Sequence, residues 1–564
     1  MPPVTTGRRW LPLVLAVGML TLGWNLGSNH LLDPDEGRNA EVAREMAATH
    51  DYLVPHLDGL PYLDKPIVYF AAAAAAMEVL GPSETAARLP AYLATLVTIV
   101  LIVWFARRRW SATAGWVAGL ALATMPMVLA YARTTIFDST LSLFTTAAIL
   151  AFFTGRPILA WAAIGAGALT KGPIAIAIPL SAMIPYCWLV GGRVRSLFPW
   201  RGLVAFGLVA LPWFLAVTAR IPEFPHYAFV RESFERLTTT SFHRTAPVWY
   251  YLPIIPVAAF PWIVPALGRL GGGRLHWAWL ARRVNPAARD PVLLACWVLG
   301  PLAFFTVNQS KLPQYVLPLM PALALAAARA LTVDRPPRQW KVYAAIAGAI
   351  AIVLLSLPVW LARSVPLTPA EATAVPPVAR VLAAVLVVSG ALVAVGARRG
   401  RLSLIGLGYA SVVIVLPVVT GKLLRAVSAD RSAAALAQAV RHSGDVLAVR
   451  AYPPSLPFYL QRRLPVATAH GRELTSNFIA DYADKYRRVP GTPLLPAEAW
   501  RTTLTRCPRP TVFVIRAVDH DVREALGSLP ILFDDGRYLA FGPCVPPGGA
   551  SPSTPGSAGG SGSR

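Results

Sequence analysis

Some fourteen apolar stretches of roughly 15 to 23 residues recur along this chain, separated by short segments rich in Arg, Pro and Gly. They constrain its fold more than any other feature. A bilayer core about 30 Å thick takes ~20 apolar residues as a helix, and only helices or closed barrels satisfy their backbone polar groups there. Composition agrees. Charged residues make up 14% of the 564, against about 25% in an ordinary soluble domain, and the mean hydropathy is +0.51. A soluble enzyme and a disordered chain are both disfavoured, which leaves a polytopic α-helical membrane protein.

The chain carries 52 Lys and Arg against 28 Asp and Glu, a net charge of +24. In a soluble protein that excess points to nucleic acid. Here most of it sits in short loops between apolar runs, as the positive-inside rule expects, so no nucleic-acid partner is implied. The four cysteines show no CxxC or Cys/His spacing that would suggest structural zinc.

Arg8-Arg9 followed by an apolar stretch to about residue 27 reads as an uncleaved first span, since no small-x-small cleavage site ends it. Further spans fall at roughly 84–106, 112–131, 136–154, 157–170, 173–190, 201–220, 248–268, 290–307, 313–331, 341–363, 376–396 and 402–421. The run at 66–81, with six alanines and Glu78, is ambiguous, and loop charge decides it. If it spans, Arg107 to Arg109, Arg193 and Arg195, and Arg398-Arg399 all fall outside. If it is re-entrant or interfacial, every one of these clusters moves inside. The expectation is about thirteen spans in the cytoplasmic membrane, N-terminus inside and C-terminus outside.

The outer face then holds the loops 28–83 and 221–247 of a membrane domain spanning 1–422. Beyond it, 423–545 is soluble in character: residues 445–449 and 511–515 read as buried strands, 521–526 as a helix and Asp534-Asp535-Gly536 as a hairpin turn. These make a small outer α/β domain, and the Gly/Ser/Pro-rich tail 546–564 is disordered. Cys507 and Cys544 either pair in an oxidising compartment or remain free thiols.

Charged residues converge on this outer face. Asp33, Asp35 and Glu36 lie within four residues at the start of an amphipathic surface helix that presents Arg38, Glu41 and Glu45 on one side. Helix capping alone explains an acid at such a place, but three together are harder to dismiss in a chain with 28. Asp64-Lys65 opens the ambiguous run. Asp138 stands where a loop enters a span, a costly place for a carboxylate unless it is paired or functional. Lys171 marks a break between two short spans. Glu232 and Glu235 lie on an amphipathic stretch before His243-Arg244, and Lys311, Gln314 and Tyr315 open another span. No ATP or nucleotide-sugar pool exists outside the membrane, so no nucleotide cofactor is expected. A substrate supplied in the membrane, such as a lipid phosphate, fits cations like Lys65, Arg244 and Lys311. The residues alone also allow a transporter or flippase for a lipid-linked substrate, or a scaffold that binds envelope components.

Several segments resemble the signatures of the aminoarabinose transferase family, related to protein O-mannosyltransferases. They are Asp35-Glu36-Gly37-Arg38-Asn39-Ala40-Glu41, Tyr62-Leu63-Asp64-Lys65-Pro66, Leu169-Thr170-Lys171-Gly172-Pro173, His243-Arg244-Thr245-Ala246-Pro247 and Ser310-Lys311-Leu312-Pro313-Gln314-Tyr315. The resemblance implies a GT-C fold and a glycosyltransferase of the outer membrane face. Such an enzyme moves a sugar from a polyprenyl phosphate to lipid A or another envelope glycolipid, polymer or protein. Carried over by position, Asp35 is the leading catalytic carboxylate and Asp138 the second acid. Lys65, Arg244, Tyr315, Lys171 and Lys311 meet the donor phosphate, with Glu36, Arg38 and Glu41 in support. Family members bind a divalent metal, zinc or magnesium, through an acid and a His, here Asp64 and His243. The family usually has Glu where this chain has Asp64, and the shorter carboxylate changes the reach.

Overall fold

The structure, a computed structural model, describes residues 11–228, 231, 246–267, 289–334, 339–364 and 369–545. Tertiary contacts divide the chain into two units, one of Met1–Leu31, Val42–Pro55 and Leu63–Ser428, the other of Leu32–Glu41, His56–Tyr62 and Ala429–Arg564. Two short segments of the first outer loop thus group with the C-terminal segment rather than with the helices that flank them.

The first unit is helical. Among the described residues, seven of its helices are long and apolar enough to cross a membrane, and the bent pair Ala112–Ala123 and Pro126–Ala132, 65° apart, makes an eighth. Four shorter apolar helices, Leu11–Gly23, Val68–Leu80, Asp138–Phe153 and Ile174–Leu189, accompany them. Local chemistry sets the boundaries. Ser83 accepts from Ala86 N at 3.3 Å to start Glu84–Arg109, which ends in Arg107, Arg108 and Arg109, cations suited to the negative end of the helix dipole. Ser111 restarts the chain by accepting from Ala114 N at 3.1 Å. Pro126 at the first turn of its helix produces the bend. The expected span at 248–268 is interrupted at Phe260–Pro261, giving Tyr251–Ala259 and Ile263–Leu267.

Buried arginines satisfy backbone that the helices leave open. Arg88, 3% exposed, donates to the carbonyls of Leu26, Asn29 and His30. Arg133 donates to the carbonyls of Thr21, Leu22, Trp24 and Asn25 around the C-terminal end of the first helix. Asp290 accepts from Arg109, Trp110 and Arg329 at 2.8–3.3 Å and ties three helices together.

The ambiguous run forms the helix Val68–Leu80. Thirteen residues rise only about 20 Å, short of the bilayer core. Glu78 near its end accepts from Tyr52 Oη at 2.7 Å and contacts His50 Nδ1 at 3.0 Å. Glu84, just beyond, lies 3.6 Å from His30. The C-terminal end of the segment therefore meets the outer loop that precedes it.

The second unit contains the hairpin β1 (His56–Leu57) and β2 (Leu60–Pro61) and a six-stranded sheet. The sheet strands are β3 (Asp445–Val449), β4 (Val466–Ala467), β5 (Leu494–Leu495), β6 (Thr511–Arg516), β7 (Ile531–Asp534) and β8 (Tyr538–Phe541). Their order is β5-β4-β3-β6-β8-β7, parallel from β5 to β6 and antiparallel at β8 and β7. The central strands read almost wholly apolar because both of their faces are covered. Asp535 Oδ1 accepts from Arg537 N and Tyr538 N, and Gly536 takes φ +76° in the expected hairpin turn. Cys507 and Cys544 form a disulfide. The tail 546–564 lies outside the described residues.

Candidate active site

A cavity of about 710 Å³ opens within the helical unit. Its walls are mostly apolar, including Leu141, Phe206, Leu211, Phe214, Leu215 and Ile174. Polar groups gather from three breaks in the helices: Asp64 and Lys65 before Val68–Leu80, Asp138 and Lys171 at helix ends, and Asn308, Ser310 and Tyr315 at the turn before the helix Met320–Arg329. Five residues expected at the site, Asp64, Lys65, Asp138, Lys171 and Tyr315, thus line one cavity, although 251 positions separate the first from the last.

The local sequence sets Asp138 and Lys171 at helix ends. Lys171 is the last residue of Pro157–Lys171, and Gly172 at φ +72° ends that helix in a conformation that other residues rarely adopt. Asp138 begins Asp138–Phe153, where its carboxylate faces the positive end of the helix dipole. The two side chains pair, Lys171 Nζ donating to Asp138 Oδ1 at 2.6 Å, and the ammonium lies 5.0 Å from the Tyr315 ring centroid. Asp138 is 1% exposed, and its Oδ2 has no hydrogen-bond partner among the described residues. A buried acceptor left open costs about 1–3 kcal/mol, so a ligand that brings a donor to Oδ2 gains by it.

Around this pair, Tyr131 Oη donates to Gln314 Oε1 at 3.3 Å, and Ser139 Oγ to the Tyr131 carbonyl at 2.8 Å. Asp64 is 7% exposed and accepts from Tyr227 Oη. Lys65 Nζ donates to the Asp64 carbonyl at 2.5 Å. Lys311 does not line the cavity. Its ammonium donates to the carbonyls of Asn308 and Ala246 at 2.6 and 3.0 Å and so holds the Asn308–Ser310 turn that does. Tyr227 and Asn308 were not legible as site residues, one a tyrosine in a loop and the other a single amide in the polar string before Lys311.

Asp35, Glu36, Arg38 and Glu41 belong to the second unit. Asp35 starts the helix Asp35–Thr49, and its Oδ1 accepts from Arg38 Nη2 at 2.6 Å. Arg38 Nη1 donates to the Thr475 carbonyl and hydroxyl, each at 3.0 Å. Glu36 Oε2 accepts from Leu32 N at 3.1 Å, and Glu41 is fully buried. Burial pushes the Asp33 carboxyl up to about 7, with Glu36 adding to the effect and Ser455 and Arg537 opposing it.

His243, Arg244, Glu232 and Glu235 lie outside the described residues. Among the described residues no group of three His, Cys, Asp or Glu is placed to hold a metal ion. Asp64 is one acid engaged by a tyrosine, so the described residues do not by themselves make a metal site.

A family model described as dolichyl-phosphate-mannose-protein mannosyltransferase matches residues 64–217. The undecaprenyl phosphate-alpha-4-amino-4-deoxy-L-arabinose arabinosyl transferase of Aeromonas salmonicida is 33% identical over 356 residues, 60% of this chain and 63% of that protein. The Proteus mirabilis protein named as the second such transferase is 33% identical over 324 residues, 55% of this chain and 57% of its own. The matches thus span under two thirds of the length of these curated relatives. The crystal structure of ArnT from Cupriavidus metallidurans bound to undecaprenyl phosphate superposes on 95% of this chain and 98% of that one, with a TM-score of 0.78 and 27% identity. The apo structure of the same protein matches equally well. By sequence over more than half its length and by fold over nearly all of it, the chain is similar to the aminoarabinose transferases, and it has the GT-C fold.

Proposed function

We propose that this protein is a membrane glycosyltransferase that moves a sugar from a polyprenyl phosphate, of the undecaprenyl kind, to an acceptor on the outer face of the cytoplasmic membrane. The observation that carries this reading is the cavity that sets Lys65, Lys171 and Asp138 among mostly apolar walls. Apolar walls suit an isoprenoid tail, and the lysines among them suit the phosphate that joins it to the sugar. The names of the relatives and the bound lipid of the matching crystal structure support the same donor.

In this reading the acceptor oxygen forms its bond to the anomeric carbon while the bond to the phosphate oxygen breaks, and polyprenyl phosphate leaves with the electron pair. Negative charge grows on the phosphate, so Lys65, with Arg244 and Tyr315, lowers the barrier by binding it more strongly as the bond breaks. Lys171 acts on the same charge through a position fixed by Asp138, whose open oxygen takes a donor from sugar or acceptor. Lys311 shapes the Asn308–Ser310 wall. Asp35 orients the acceptor if that is an ionised phosphate, or accepts its proton if it is a hydroxyl. Asp64 with His243 is the pair that a divalent metal would need completed by further donors.

Mass spectrometry of envelope lipids and glycans from cells carrying the wild-type chain or Asp35→Asn at matched expression tests the proposal. A sugar-mass increment that disappears in the variant identifies both sugar and acceptor. Identical profiles, with no accumulation of a polyprenyl-linked sugar in the variant, would count against a transferase.

A further inference from the structure

In the second unit β3 is the first sheet strand in sequence. The chain steps from it to β4 and β5 on one side and then crosses to β6 on the other. The loops leaving the C-terminal ends of β3 and β6 therefore diverge, and that crevice is where open α/β sheets take their ligands. Here the chain's own residues 32–41 occupy it. Asp33 N donates to the Arg431 carbonyl at 3.0 Å, and Asp33 Oδ2 accepts at 2.8 Å from Ser455 Oγ, in the loop after β3. On the β6 side, Asp33 interacts electrostatically with Arg537 and Tyr538, and Tyr538 pairs with Arg516, the last residue of β6.

The fit is close. A Cβ on Gly37 would lie 2.2 Å from Asp33 Oδ1 and 2.6 Å from the backbone nitrogen of Ser455, so no side chain fits there. One residue on, Arg38 bridges Thr475 and Asp35. Thr475 holds φ +55°, a left-handed conformation that costs a β-branched residue about 1–3 kcal/mol and persists only where its surroundings impose it. Thr475 thus keeps a strained backbone where its carbonyl and hydroxyl both receive the guanidinium that holds Asp35.

We infer that the ligand crevice of the C-terminal sheet serves to position Asp35, with Ser455 and Thr475 as positioning residues acting through Gly37 and Arg38. This rests on the reading of Asp35 as the catalytic carboxylate. The α/β unit then takes no small-molecule ligand of its own at this edge, because the acidic segment is what it binds.

The test uses the full chain. The sugar increment on envelope lipids is quantified by mass spectrometry at matched expression, and undecaprenyl phosphate binding to the purified protein is followed by tryptophan fluorescence. Thr475→Val keeps the shape and removes the acceptor hydroxyl. It is expected to cut the increment about 10- to 100-fold, the worth of one hydrogen bond to a charged group, with lipid binding within about twofold of wild type. Thr475→Ser restores the hydroxyl and is expected to restore the increment. Gly37→Ala is expected to approach Asp35→Asn. If Asp35→Asn is inactive while Thr475→Val and Gly37→Ala keep a wild-type increment, the positioning role is wrong. It is equally wrong if Thr475→Ser falls as far as Thr475→Val, which would mark general disruption. If Asp35→Asn itself keeps the increment, the reading of the reaction fails first.

Discussion

Lys171 Nζ lies 2.6 Å from Asp138 Oδ1, and the two side chains are 14% and 2% exposed. Removing one member of such a pair strands the other charge and typically costs about 3–5 kcal/mol, whereas replacing both costs far less. Lys171→Met is therefore expected to lower the melting temperature more than Lys171→Met combined with Asp138→Asn. Thermal unfolding in one detergent compares them. A double variant less stable than the single would show that the pair is not a unit.

Lys65 is expected to bind the donor phosphate. A hydrogen bond to a charged group contributes about 1.5–3 kcal/mol, so Lys65→Ala should weaken undecaprenyl phosphate binding roughly 10- to 100-fold. Tryptophan fluorescence or a thermal-shift titration reads this directly, and unchanged affinity would remove Lys65 from the phosphate site.

Asp35→Asn is expected to lower transfer by about 10²- to 10⁴-fold if the carboxylate takes a proton, with expression and lipid binding intact. Near-normal turnover would remove Asp35 from the chemistry.

Asp33 carries a prediction about pH. Its carboxyl is raised from 3.8 to about 7 by burial. An acid whose folded-state value lies above its unfolded value contributes stability that is fully present below pH ~4 and is lost as pH rises towards 7. The difference amounts to about 4 kcal/mol at its limit. Protease resistance of the C-terminal unit should fall between pH 4 and 7 in the wild type. In Asp33→Asn, which cannot ionise, that part of the dependence should disappear. An identical pH dependence in the two proteins would show that Asp33 is not the group responsible.

The Cys507–Cys544 disulfide closes a loop with a sequence separation of 37. Chain-entropy arguments give about 4 kcal/mol for a loop of this length. Cys507→Ser with Cys544→Ser should therefore unfold the C-terminal unit at lower denaturant concentration, as circular dichroism of the purified protein in detergent would show. Equal midpoints would mean that the cross-link adds nothing.

The sequence by itself determined what short-range physics controls. Apolar run length marked most helices: 84–106 became Glu84–Arg109, and 290–307 became Arg289–Val307. Short apolar runs and turn chemistry marked β3, β6 and the β7–β8 turn. A carboxylate or lysine beside an apolar run is costly wherever it stands, so Asp64, Lys65, Asp138 and Lys171 were visible as candidates before any of them had a neighbour. Only the tertiary structure decided which of them meet, because partners 33 positions apart, as with Asp138 and Lys171, are joined by packing of whole helices. It turned Lys311 towards carbonyls rather than into the cavity, and it bonded Cys507 to Cys544. It also divided the first outer loop, since Asp33, Gly37 and Arg38 find partners more than 400 residues away at Ser455 and Thr475. Local propensity carries no information about contacts at that separation, which arise only when the sheet closes and its crevice must be filled.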